Sequence, residues 1–293
     1  MLPFLNIQDI AGLTGFEFET PCRFYAANAH IETNVSLCRI LTRYKVYVDL
    51  RDHSITPHLL LDGYWETWMT QFFAKIIKPG NVCIDIGANF GYYAVLMSAL
   101  SGDTGKVVAV EPNPAVAKLL RSTAGINSPG FHVAELALSD KEGEMLLTIP
   151  DELFGSATII DQKIMHTLPT TAVNVKVNTL DTLMEQMDLA RIDVIKMDVE
   201  GAEPMIFNGM ERVLRNNRKL QIVMEYSPFL YDDPETFTKY LFKYFEIRRI
   251  KDGDPGEILR DSSLQGLLSL QDHTDLYLIK KDGLMNKVYH LFK

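Results

Sequence analysis

The sequence predicts an α/β protein built on a mostly parallel sheet with helices on both faces. From residue 82 onward, short apolar runs alternate with segments of helical spacing. The first of those runs, "VCIDI", is apolar on both strand faces and ends in a glycine-punctuated turn into a helix. The chain has 293 residues, 47% of them hydrophobic, enough to bury one large core. Right-handed crossovers in such a sheet place ligand sites at the carboxyl ends of the strands.

Taken in order, residues 1–75 are the least legible part. "YKVYVDLRD" (44–52) alternates as a strand, and "GYWETWMTQFFAKII" (63–77) has helical spacing. "KPGN" (78–81) punctuates the entry to the strand at 82–86. A helix from Tyr92 to Leu100, a strand "KVVAVEP" (106–112), a helix over 114–127 and a strand "FHVAELAL" (131–138) follow. The rhythm then breaks at 144–177, where "EMLLTI", "SATII" and "AVNVKV" read as short strands without a helix between them. It resumes with a helix at 180–188, a strand "IDVIKMDV" (192–199) and a helix at 203–215. A strand "KLQIVMEY" (219–226), a helix at 234–244, a strand at 245–251 and a last strand "DLYLIKK" (275–281) complete the pattern.

A formal charge of −9 argues against nucleic acid as the partner, since a phosphate footprint needs clustered Lys and Arg. Cys22, Cys38 and Cys83 are an odd number without metal-finger spacing, and read as reduced thiols. The start "MLPFLNIQDIAG" lacks the basic and apolar regions of a signal peptide, and no apolar run reaches the ~18 residues of a membrane span. These features predict a soluble, cytoplasmic protein with no transmembrane segment.

The turn "DIGANFG" decides between nucleotide ligands. Gly87 and Gly91 flank Asn89, so the middle glycine of the dinucleotide fingerprint G-x-G-x-x-G is missing. No Lys follows Gly91 as a phosphate loop requires, and the Asp85 carboxylate would repel a diphosphate. A carboxylate there suits a ligand with an ammonium group beside an apolar body, as in S-adenosylmethionine. Glu111 ends the next strand twenty-four positions after Gly87, where an acid can accept hydrogen bonds from both ribose hydroxyls.

Together with these features, "VCIDIGANFGYYAVLMSAL", "VVAVEPNPAVAKLL", "LALSDKEGEMLL", "VKVNTLDTL" and "IDVIKMDVEGAEPMIFNGM" resemble the FkbM family of S-adenosylmethionine-dependent methyltransferases over about residues 60–226. The resemblance implies the class I (Rossmann-like) methyltransferase fold, a seven-stranded sheet with an antiparallel last strand. It divides the chain into an N-terminal extension, residues 1–75, that caps the acceptor side and a methyltransferase domain, residues 76–293, with a β insertion at about 144–177. It also implies transfer to a hydroxyl group of a sugar, glycan or natural-product acceptor.

The resemblance assigns roles residue by residue. Gly87 and Gly91 let the backbone approach the methionine part of the donor, with Asp85 acting nearby. Asn89 orients the loop or tolerates a left-handed turn. Glu111 accepts from the ribose, while Asn113 caps the following helix. Ala137 and Leu138 lie beside the adenine, and Asp140 either accepts from its amino group or closes a turn. Glu66 approaches the donor's ammonium or is a solvated helix residue.

In "KMDVEGAEPM", period-two alternation puts Lys196 and Asp198 on one side of their strand, where a buried pair is expected. Glu203 falls in the first turn of the next helix, complementing its dipole. Asp198, Glu200 and Glu225 are the candidate acceptor-facing acids, one of them the general base a hydroxyl needs. Ordinary acidic caps explain this rim better than a metal site, so no metal is expected. Two alternatives stay open: transfer to nitrogen or to a peptide- or lipid-linked acceptor, and a methyltransferase-like module that binds without catalysis.

Overall fold

The computed structural model describes residues 2–151, 170–251, 258–260 and 263–281. A 3-10 helix (Ile7–Gly12) precedes α1 (Gly15–Tyr25), which opens on a capping box in which Thr14 and Glu17 satisfy each other's backbone N–H. Three antiparallel strands follow, β1 (Ala27–Glu32), β2 (Val35–Ile40) and β3 (Tyr44–Asp49), in the order β1-β2-β3. The alternating segment 44–52 is β3, with Val46 and Val48 fully buried. Its backbone N–H groups at Tyr47 and Lys45 donate to Thr123 Oγ1 and Asn127 Oδ1, which ties this sheet to a helix of the larger unit.

α2 (Thr56–Leu61) and α3 (Thr67–Ile76) lead into that unit. The helix expected from residue 63 starts only at Thr67, because Glu66 has a left-handed backbone with φ 39°. Next come β4 (Val82–Ile86), α4 (Tyr92–Ser101), β5 (Lys106–Val110), α5 (Pro114–Ile126), β6 (His132–Ala134) and β7 (Ala137–Leu138). β8 (Gly143–Pro150), β9 (Thr170–Asn178), α6 (Leu180–Gln186), β10 (Val194–Met197), α7 (Glu203–Asn208), α8 (Glu211–Asn216) and β11 (Gln221–Tyr226) continue the chain. It closes with α9 (Pro234–Tyr244), β12 (Phe245–Arg249), β13 (Ile258–Leu259), α10 (Leu264–Leu268) and β14 (Thr274–Lys280).

The main sheet runs β13-β12-β14-β11-β10-β4-β5-β6. β4 is parallel to β5 and β10, β10 to β11, and β5 to β6, whereas β14 is antiparallel to both β11 and β12. Without β13 this is the class I methyltransferase order with its antiparallel last strand; the described sheet has eight strands, one more than expected. Every residue of β4 and of β10 is buried, which is why these segments read as continuous apolar runs.

Two further differences have local causes. The segment 131–138 splits into β6 in the main sheet and β7, which pairs with β9 instead. The helix expected over 203–215 divides at Gly209, where a Cβ would fall 2.0 Å from the Ser139 carbonyl oxygen. In the segment 144–177, β8 and β9 form a long antiparallel pair; "SATII" lies outside the described residues.

Candidate active site

A cavity of about 260 Å³ opens at the carboxyl ends of β4, β5, β10 and β11. After β4 the Gly87 and Ala88 N–H groups both donate to the Val110 carbonyl, bending the loop over the end of β5. At φ +76° a Cβ on Gly87 would lie 1.8 Å from the Asp198 carbonyl oxygen, and at φ +95° one on Gly91 would lie 2.5 Å from Leu120 Cδ1. The space left by both missing side chains is therefore filled by protein. Gly87 lines the cavity and Gly91 does not.

Glu111 follows β5 and is fixed by two backbone donors: the Asn89 N–H reaches Oε2 at 2.9 Å and the Asn113 N–H reaches Oε1 at 2.8 Å. Each oxygen keeps lone-pair capacity for a further donor. Burial pushes this carboxyl up to about 7, against the pull of the two N–H groups. Asn89 holds φ 50° beside it, and its buried Oδ1 has no protein hydrogen-bond partner. Asn113 caps α5 as expected, accepting from the Ala115 N–H. Ala137 and Leu138 line the same end of the cavity, joined by Leu136, Val110 and Pro112. Asp140 is exposed, accepts from Ser139 Oγ and takes no part in the lining.

The opposite end is acidic. The parallel register aligns Lys196 with Asp85, and the Lys196 ammonium stands 3.8 Å from Asp85 and 3.2 Å from Asp198, over the Tyr93 ring. Lys196 is raised by Asp198 and Asp85 against the opposing effect of burial, so it is a firm cation. Asp85 is fully buried behind the wall, and burial raises it to about 6 against the pull of Lys196. Glu66 lines the cavity and accepts from the Tyr93 hydroxyl; burial raises it to about 7. Asp198 and Glu200 lie on the turn after β10, Glu200 at φ 53°, and both line the cavity with Glu225.

Glu203 does more than complement a helix dipole. Its side chain is buried, with Oε1 accepting from the Val199 N–H and Oε2 unpartnered, and burial raises it to about 8. Glu225 is pushed up to about 9 by burial and by the charges of Asp198, Glu200 and Glu203. Sequence reasoning missed Tyr93, Trp65, Leu147 and Ser54 as cavity residues; nothing in their local spacing signals it. Among the described residues, no group of three or more His, Cys, Asp or Glu could hold a metal ion, and no helix is long and apolar enough to cross a membrane.

These raised carboxyls fix a sign for stability. Glu225 and Glu203 titrate near 4.5 when free and near 9 and 8 in the fold, so they favour the fold fully below 4.5 and lose that contribution as pH rises through those values. Glu225→Gln is expected to melt roughly 3–6 °C above the parent at pH 9, about 1–2 kcal/mol, and to match it at pH 5. Melting curves at the two pH values check this; equal melting at pH 9 contradicts it.

Residues 85–251 match the methyltransferase FkbM domain, more than half of the chain, and the chain belongs to this family, whose methyl donor is S-adenosylmethionine. It is 28% identical over 160 residues to the 31-O-demethyl-FK506 methyltransferase FkbM of Streptomyces tacrolimicus, covering 46% of this chain and 61% of that one. It is 23% identical over 183 residues to the AMB antimetabolite synthetase AmbE of Pseudomonas aeruginosa, covering 50% of this chain and 9% of that one. The chain thus spans less than two thirds of the length of both relatives. A solved structure, the putative transferase PH0793 from Pyrococcus horikoshii, overlaps it with a TM-score of 0.43 at 12% identity, covering 85% of this chain and 72% of that one.

The cavity suits the donor. Glu111 presents two oriented oxygens that fit a diol, the buried Asn89 Oδ1 has no protein hydrogen-bond partner, and Leu136, Ala137 and Leu138 give an apolar stretch of lining that fits a base. Glu66 adds a carboxyl to the lining of the same cavity.

Proposed function

We propose that the chain transfers a methyl group from S-adenosylmethionine to a hydroxyl oxygen of a small-molecule or glycan acceptor. The observation that carries this reading is one cavity with the oriented Glu111 carboxyl at one end and Asp198, paired with Lys196, at the other. When bound, the donor supplies an electrophilic methyl group on a sulfonium. Glu111 and Asn89 hold the ribose, Leu136, Ala137 and Leu138 flank the adenine, and Glu66 takes the ammonium. Gly87 lines the donor's part of the cavity, whereas Gly91 and Asp85 shape the loop from behind rather than touching the donor.

Methyl transfer forms the oxygen–methyl bond as the sulfur–methyl bond breaks, and the acceptor hydroxyl must give up its proton. Asp198 is the base in this reading. Its side chain is 39% exposed, lines the cavity and pairs with the Lys196 ammonium at 3.2 Å. Glu200 flanks it on the same turn. Burial and the charges of Asp198, Glu200 and Glu203 favour the protonated form of Glu225, which suits acceptor binding better than the base's role. Residues 1–75 contribute Ser54, Ile55, Trp65 and Glu66 to the mouth, and Leu147 comes from the 144–177 insertion; this supports both segments as the acceptor-side cap.

Thermal-shift measurements with S-adenosylmethionine, S-adenosylhomocysteine and NAD test the reading. The first two are expected to stabilise the chain and NAD to leave it unchanged; stabilisation by NAD alone contradicts the assignment.

A further inference from the structure

Charge is sorted along the small β1-β2-β3 sheet. At one end the register aligns Ala27, Arg39 and Lys45, which sets two cations directly opposite each other. At the other end it aligns Glu32, Val35 and Asp49. Like charges facing across strands destabilise a sheet, so the cationic end suits an anion from outside. Arg39 and Lys45 are both exposed, as is Arg43 on the turn between β2 and β3. Among the described residues none of the three forms an ion pair. Arg39 and Arg43 donate only to the backbone carbonyls of Tyr25 and Leu5.

Exposed rings stand against the same cations. Phe4, 55% exposed, and Phe24, 59% exposed, flank Tyr25 with ring centroids 4.6 and 5.0 Å from its own. The Arg43 guanidinium lies 5.8 Å from the Phe4 ring. Rings and cations therefore form one continuous surface, and apolar groups gathered in a patch mark a place of contact. The acids of the adjoining elements leave its charge in place. Glu19 and Asp62 are paired with Arg23, while Asp9 accepts from Asn6. Glu17 caps the opposite end of α1, about two turns from Phe24.

We propose that this patch docks the protein on an anionic lipid surface. Phe4 and Phe24 enter the headgroup region, and Arg39, Arg43 and Lys45 meet the lipid phosphates. Apolar burial and attraction to anionic lipid act together in such a contact. The rings are tilted by 34° and 87° to one another, so they offer no flat platform for stacked bases. A formal charge of −9 makes the rest of the chain repel an anionic surface, so the patch also fixes which side approaches. Ser54 and Ile55, which line the cavity, follow the other end of β3. Docking is independent of the methyl-transfer chemistry.

Co-sedimentation of the full chain with vesicles tests this, using phosphatidylcholine alone or mixed equally with phosphatidylserine. The parent is expected to pellet with the mixed vesicles and to stay in solution with the neutral ones. Arg39→Gln combined with Lys45→Gln is expected to weaken binding ~10-fold or more, the scale of two cations near an anionic surface. Phe24→Ser is expected to weaken it ~10-fold, the scale of burying one large apolar side chain. Arg218→Gln combined with Lys219→Gln removes the same charge from an exposed site between α8 and β11, and is expected to bind like the parent. All three variants are expected to melt with the parent, since each changes exposed side chains. Failure to pellet with either vesicle, equal pelleting with both, or an equal loss in the Arg218 and Lys219 variant would overturn the proposal. So would a dimer of the parent, seen by light scattering, that Phe24→Ser dissolves, since the patch would then belong to a second copy of the chain.

Discussion

Asp198→Asn is expected to lower the methyl-transfer rate ~100-fold or more while leaving the fold and donor affinity intact, the scale of losing a general base. The substitution keeps the side chain's shape and removes its charge. Were Asp198 only the structural partner of Lys196, losing it would strand a buried ammonium at a cost of several kcal/mol. The geometry argues otherwise, since Lys196 keeps Asp85 at 3.8 Å and the Tyr93 ring beneath it. Asp198 is also the more exposed partner, at 39% against 0% for Asp85. Single-turnover kinetics and melting curves on the same preparation separate the two roles. A stable variant with full activity would remove Asp198 from the chemistry, and an unstable one would make it structural.

Gly87→Ala is expected to destabilise the chain by about 4 kcal/mol or more, lowering the melting temperature by about 10 °C. The cause is the 1.8 Å approach of the added Cβ to the Asp198 carbonyl oxygen, a backbone atom that cannot swing aside. Gly102→Ala is the matched control. Gly102 has a similar φ of +67° with ψ −172°, a backbone region that is essentially glycine's alone, but nothing lies within 4 Å of its added Cβ, so its cost is only backbone strain of about 1–3 kcal/mol. Equal melting of the two variants would show that backbone strain, not the close approach of two strand ends, explains the glycine at 87.

That close approach also shows why parts of the site were legible in the sequence. Asp85, Glu111 and Asp198 stand at or just beyond the ends of buried parallel strands, and a carboxylate closing an apolar run is visible without a structure. The glycines were visible too, but their reason was not: the atoms that demand Gly87 and Gly91 come from Asp198 and Leu120, far along the chain. Asp140 shows the converse, a carboxylate beside a strand that reaches solvent rather than the cavity. β1 was illegible because all six of its residues are exposed, which leaves no alternation to read. Tyr93 and Glu66 meet only because α3 packs beside α4, and no spacing within either helix records that contact. The raised carboxyls of Glu203 and Glu225 depend on their own burial and on four acids from two strand ends being gathered on one rim, a property of the assembled fold.

The central claim, that this cavity holds S-adenosylmethionine with Glu111 on its ribose, is tested most directly by isothermal titration of the donor into the parent chain and into Glu111→Ala. The parent is expected to bind, and the variant to bind about 1.5–3 kcal/mol more weakly, roughly 10- to 150-fold, the scale of losing charge-assisted hydrogen bonds to both hydroxyls. Unchanged affinity in the variant, or a parent chain that binds NAD and not S-adenosylmethionine, would contradict it.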